Sequence, residues 1–185
     1  MYGAIRGWFA LALAACGLSA GVIAPVEPSH IIVVDSLADP GAPLDASRTL
    51  REAVQLANLR GGHATIRFEA GLRGGTIRLT SALPPLTSGN TTIDGDVDGD
   101  GAPDIELNGQ DAGAAVGISI KSEANIVRGL VINRFAEGGV RVSGPDASDN
   151  VVSDCRIGTD RAGEKAAPNN GGVAIDAGAR RNRLG

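Results

Sequence analysis

Five aspartates crowd the stretch T-T-I-D-G-D-V-D-G-D-G-A-P-D-I-E-L-N-G, from Thr91 to Gly109. Four of them, Asp96, Asp98, Asp100 and Asp104, stand in the pattern D-x-D-x-D-G-x-x-D, the first nine positions of a calcium-binding loop. Calcium takes six or more oxygens, and carboxylates at alternate positions of a turning chain converge on one point. In this pattern Asp96, Asp98 and Asp100 bind directly, Gly101 permits the sharp turn, the carbonyl of Ala102 adds a ligand, and Asp104 binds through water. The twelfth position, where an acid normally closes such a site, is Leu107, and no helical pattern flanks the loop. The expected affinity is therefore modest, about 10⁻⁴ to 10⁻³ M. The alternative is a solvated, metal-free Asp-Gly turn.

Other chemistry is thinly represented. His30 and His63 are far apart in sequence and have no Cys or carboxylate at zinc spacing, so surface histidines are expected. No nucleophile elbow G-x-S-x-G and no phosphate loop occurs. Cys155 falls at an inward-facing position of a repeat and reads as a buried, inert thiol. Arg180, Arg181 and Arg183 form a small basic cluster that reads as solvated charge. No residue is assigned a catalytic role.

The 185 residues carry 21 acids and 17 bases, a formal net charge of −4. Leaving out the five loop aspartates and Arg6, 16 of each remain, so the acidic excess resides in the loop. That balance, with no basic block, argues against nucleic acid or an anionic membrane surface as partner.

The chain opens with M-Y-G-A-I-R-G-W-F-A-L-A-L-A-A-C-G-L-S-A-G-V-I-A, one positive charge, an apolar centre and then small residues. Residues 1–24 have the layout of an export signal. Three fates remain open: lipidation at Cys16, because Leu13-Ala14-Ala15-Cys16 resembles a bacterial lipobox; cleavage and secretion; or retention of Gly7 to Val26 as an anchor. All three place the body of the protein outside the cytoplasm, on the cell surface or beyond it. Without Cys16, Cys155 has no disulfide partner.

The body must hold the loop on a frame, and the apolar periodicity says which. Ile31 to Val34 is a strand candidate. In Arg48 to Leu59, Leu50, Ala53, Val54 and Ala57 recur at helical spacing, with Thr49 and Glu52 placed as a capping box and Gly61-Gly62 as a stop. Residues 30–63 therefore read as a cap of one strand and one amphipathic helix. From residue 64 to 185 apolar residues come as alternating doublets: Ile66/Phe68, Ile77/Leu79, Ile105/Leu107, Ile118/Ile120, Leu130/Ile132, Val140/Val142, Cys155/Ile157 and Val173/Ile175. The run beginning at Asn125 returns 25 residues later at Asn150, and a third Asn stands at Asn182. Gly117-Ile118-Ser119-Ile120 returns as Gly139-Val140-Arg141-Val142 and as Gly172-Val173-Ala174-Ile175. A period in the twenties with several short strands per period predicts an all-β solenoid in which Ile120, Val142 and Ile175 stack, as do Ile132 and Ile157, with the asparagines forming a ladder at one corner. Gly158 to Asn170 reads as a polar excursion from the stack.

These residues resemble a family of bacterial exported proteins, right-handed parallel β-helices of the pectin-lyase-like type with an N-terminal motif spelled C-S-L-R-E-A-I. Here that motif stands as Arg48-Thr49-Leu50-Arg51-Glu52-Ala53-Val54, with Arg48 in place of the cysteine, followed by Ala57-Asn58. Further matches are Leu83-Pro84-Pro85-Leu86, Thr92-Ile93-Asp94-Gly95, Arg128-Gly129-Leu130-Val131-Ile132 and Ile157-Gly158-Thr159-Asp160. The resemblance implies that the helix caps the first rung, that the last rung is incomplete at Gly185, and that the protein is a non-catalytic structural or adhesive surface module. Its partner would be an extracellular polysaccharide or another surface protein. Two other readings stay open. Pectin-lyase-like folds include polysaccharide lyases and glycoside hydrolases, which would draw on outward Arg141 and Arg156 with nearby Asp154. Sugar grooves generally present aromatic platforms, however, and past the leader only Phe68 and Phe135 remain. The other is a non-functional fragment of a larger surface protein.

Overall fold

The computed structural model describes residues 30–39 and 47–185. The expected export signal, with Cys16 and the segment that resembles a lipobox, lies outside the described residues. In chain order the elements are β1 (His30–Val34), α1 (Leu50–Leu59), β2 (Ala64–Phe68), β3 (Thr76–Arg78), β4 (Thr92–Asp94), β5 (Ile105–Asn108), β6 (Val116–Ile120), β7 (Ile126–Arg128), β8 (Leu130–Asn133), β9 (Gly138–Ser143), β10 (Val151–Ser153), β11 (Arg156–Ile157), β12 (Val173–Asp176) and β13 (Arg183–Leu184).

All strand pairs are parallel and fall into three sheets. The first runs β1-β2-β4-β7-β10-β13, the second β3-β5-β8-β11 and the third β6-β9-β12. From β4 onward the chain visits first, second and third sheet in rotation, so each circuit adds one strand to each. The earlier circuit reaches the third sheet through Leu86, which bridges Ile120. The fold is all-β and parallel, with α1 as its only α-helix among the described residues.

Parallel register puts equivalent residues over one another. In the first sheet Ile32, Ile66, Ile93, Val127, Val152 and Leu184 form a column. Ile77, Leu107, Ile132 and Ile157 do so in the second, and Ile120, Val142 and Ile175 in the third. Each interior aliphatic taken out of water contributes about 1.5–3 kcal/mol, which lets a core with no tyrosine or tryptophan among the described residues hold together. At the last circuit the burial ends: Ile175 is 42% and Leu184 49% exposed.

At one corner, Asn125 Oδ1 accepts from the Thr91 amide, Asn150 Oδ1 from the Asn125 amide and Nδ2, and Asn182 Oδ1 from the Asn150 amide and Nδ2. The residue before each of these positions, Asn90, Ala124, Asp149 and Arg181, takes a left-handed φ between +48° and +58°. That turn aims the following amide at the asparagine of the next circuit.

The capping box of Thr49 and Glu52 forms as expected, and Leu50, Ala53, Val54 and Ala57 are buried. This face packs on β1 and β2 and joins the same core. Arg51 fastens the helix by a two-pronged pair with Asp39 (2.7 and 2.8 Å) and by bonds to the carbonyls of Ser81 and Ala82. Arg48, where the motif has cysteine, uses its backbone instead: its amide donates to Asp35 and its carbonyl accepts from Asp35 and Ser36.

Candidate metal centre

The aspartate loop joins β4 to β5, that is, the first sheet to the second. Its base is closed by the Asp104 amide donating to the Gly95 carbonyl (3.2 Å) and by the Gly95 amide donating to the Arg128 carbonyl (2.9 Å) of the next circuit. Two glycines allow this close approach. A Cβ at Gly95 would strike the Leu130 side chain and the Gly129 carbonyl, and one at Gly129, whose φ is +68°, would strike the Asp96 amide. Beyond the base, the chain turns at Gly99 and Gly101, with φ of +78° and +83°.

Within the loop the carboxylates organise the backbone. Asp96 accepts from the amides of Gly99 (2.9 Å) and Gly101 (3.1 Å), Asp98 from Asp100 (3.3 Å), Asp100 from Ala102 (2.8 Å) and Asp104 from Val97 (2.9 Å). Carboxylate oxygens of Asp96, Asp98 and Asp104 all lie within 4.8 Å of one another. Of the five residues expected to form the site, these three converge. Asp100 belongs to the same loop but not to that cluster of carboxylates.

The sequence reading did not anticipate Arg73. It follows a short 3-10 turn, Ala70–Leu72, and reaches the loop from the preceding circuit. Its guanidinium lies 3.0 Å from Asp104, 2.6 Å from Asp98 and 3.5 Å from Asp100. A second arginine, Arg128, pairs with buried Asp94 at 2.7 Å. The crowding of negative charge is thus answered by cations of the chain itself. Burial pushes the Asp104 carboxyl up, but the bonds from Arg73 and the Val97 amide outweigh it and hold the carboxyl below the usual aspartate range. The bond to Asp104 and the nearby charge of Asp98 raise Arg73 in turn. Arg161 also touches this node, donating to the Asp104 carbonyl at 2.7 Å. No sequence rule could place Arg73 or Arg161 here, because both reach across circuits.

As a cation site the cluster offers three carboxylates, each with lone pairs beyond those its amide donors use. Calcium would need the rest of its oxygens from backbone carbonyls and water, and Arg73 would have to withdraw. Arg73 is about half exposed, so leaving the loop returns it to water.

Comparison with family models, with curated proteins and with solved structures finds no match for the chain.

The remaining candidates do not assemble into one site. Arg141 belongs to the third sheet and pairs with Asp176 at 2.9 Å, whereas Arg156 belongs to the second and donates to the Arg161 carbonyl. Cys155 lies just before β11, partly buried against the core, and burial pushes its thiol up to about 11, away from a reactive thiolate. His30 and His63 are exposed and adjacent, the His30 amide donating to the His63 carbonyl at 2.8 Å. Arg181 of the basic cluster is spent on Asp149, 2.6 Å away. No described helix is long and apolar enough to cross a membrane.

Proposed function

We propose that this protein is an exported, non-catalytic surface module built as a right-handed parallel β-helix of the pectin-lyase-like type, serving a structural or adhesive role. The rotation of the chain through three parallel sheets and the motif run from Arg48 to Asp160 support the architecture. The apolar leader supports export, as a lipoprotein anchored at Cys16 or as a secreted chain. The loop 96–104 is proposed to take calcium through Asp96, Asp98 and Asp104, with Asp100 and the Ala102 carbonyl as further oxygen sources. When bound, the ion supplies charge neutralisation and fastens the β4–β5 connection. Its partner is an extracellular polysaccharide or a surface protein.

The observation that carries the non-catalytic reading is how the partly buried acids are used. Asp104 is held by Arg73 and Val97, and Glu106 accepts from Thr76 (2.9 Å) and Asn133 (2.9 Å) with Arg134 and Arg161 beside it. Although burial pushes Glu106 up, those hydrogen bonds and charges keep its carboxyl low. Both acids stay ionised as braces, where a general acid or base needs a pKa near the working pH.

Two assays test this together. Protease treatment of intact expressing cells should remove the protein, and uronate polymers incubated with it, with and without calcium, should keep their length. A protein protected inside the cytoplasm, or one that shortens the polymer, overturns the proposal.

A further inference from the structure

The outer face of the second sheet carries a second feature, beside the cation loop and joined to it through Arg161. Gly158 to Asn170 does not simply leave the stack. It folds back as a hairpin strap, with Thr159 bridging Ala166 and the Asp160 amide donating to the Lys165 carbonyl at 2.9 Å. Arg161 at its tip ties it down, donating to the carbonyls of Asp104 (2.7 Å) and Gly75 (3.0 Å) and to Thr76 Oγ1 (3.3 Å), and lying 3.5 Å from Glu106. Between strap and strands is a groove of about 520 Å³, a size suited to a small ligand.

Charge decides what fits. Arg78, Arg134 and Arg161 face two acids, Glu106 and Asp160. Asp160 turns inward on its own hairpin, accepting from the amides of Glu164 and Lys165. Glu106 is shared among Thr76, Asn133, Arg134 and Arg161, so its charge is already met. Arg134 makes its described contacts, to Asn133 and Glu106, through one nitrogen only, and Arg78 makes no hydrogen bond or ion pair among the described residues. Among the described residues no aromatic ring lines the groove, so these residues would hold a ligand by charge and hydrogen bonds and not by stacking.

We propose that this groove binds a small carboxylate- or sulfate-bearing molecule, its anionic group received by Arg78 and Arg134 on the floor braced by Glu106. Arginine recognises both oxyanions through paired N–H donors.

Titration calorimetry at constant ionic strength tests it with three probes: succinate, inorganic sulfate and uncharged succinamide. Saturable heats from succinate, sulfate or both, and none from succinamide, are expected, and comparing the two anions identifies the preferred group. Arg78→Ala should weaken the anion by roughly tenfold or more, and Arg134→Ala similarly. Arg180→Ala, exposed on another face, should leave affinity unchanged. The proposal is overturned if neither anion saturates by about 20 mM, if succinamide binds as well, or if Arg180→Ala matches the loss in Arg78→Ala.

Discussion

Replacing Asn125 by alanine tests whether the corner ladder holds successive circuits together. Asn125 and Asn150 are at most 1% exposed, as is Thr91, whose amide depends on Asn125 Oδ1. The substitution strands that buried amide, at about 1–3 kcal/mol, and removes the Nδ2 bonds to the Ser122 carbonyl and to Asn150 Oδ1, each worth about 1 kcal/mol net. The expected loss is about 3–5 kcal/mol, a large share of the 5–15 kcal/mol that holds a typical domain. Asn182→Ala is the internal comparison: it removes the acceptor of the buried Asn150 amide, but Asn182 itself is only partly buried, so its loss lets water reach that amide, and a smaller cost of about 1–2 kcal/mol is expected. Urea denaturation followed by circular dichroism gives the two losses, and hydrogen exchange at the Thr91 and Asn125 amides reports the corner directly. Equal losses for the two variants, or an Asn125→Ala loss below about 0.5 kcal/mol, would refute the assignment of the ladder as a structural spine.

Three further outcomes are expected. Gly129→Ala, forced into a left-handed φ with its Cβ against the Asp96 amide, should destabilise by about 2 kcal/mol or more and shift the loop amides in NMR spectra, whereas Gly99→Ala, with open space around it, should cost about 1 kcal/mol. Ala124→Gly relieves a left-handed alanine at φ +55° and should be neutral or stabilising by up to about 1 kcal/mol in the same urea assay. Asp104 and Glu106 have folded pKa values below their unfolded ones, so their contribution is complete above about pH 5 and is lost as pH falls through the unfolded values near 4 and then the lower folded values. Acid titration of stability should show that loss, and Asp104→Asn should flatten part of it.

Much of the frame is legible in the sequence wherever a strand points two residues inward. The alternations Ile105/Leu107, Leu130/Ile132 and Val140/Val142 fall in β5, β8 and β9, and the helix is fixed by its period and its capping box. The first sheet is harder to read: β4, β7 and β10 have three residues each with one fully inward aliphatic, Ile93, Val127 and Val152, so there is no alternation to detect. Leu86 reaches the third sheet by a single bridge from a proline-rich segment, which leaves no strand pattern at all. At the loop, alternate spacing brings Asp96 and Asp98 together, but Asp100 stays outside the cluster, and Asp104 joins it because the loop closes on itself, its amide donating to the Gly95 carbonyl and its carboxylate accepting from the Val97 amide. The partners Arg73 and Arg161 come from residues 31 and 57 positions away from Asp104, and only the stacking of circuits brings them near.

The claim that the loop exchanges Arg73 for calcium is met most directly by thermal melting of the protein with and without millimolar calcium, in wild type, Arg73→Ala and Asp98→Ala. A higher midpoint with calcium is predicted for wild type, a larger rise for Arg73→Ala, whose loop has lost its internal cation, and none for Asp98→Ala. No calcium-dependent rise in either wild type or Arg73→Ala would contradict it and leave Arg73 as the permanent counter-charge of the loop.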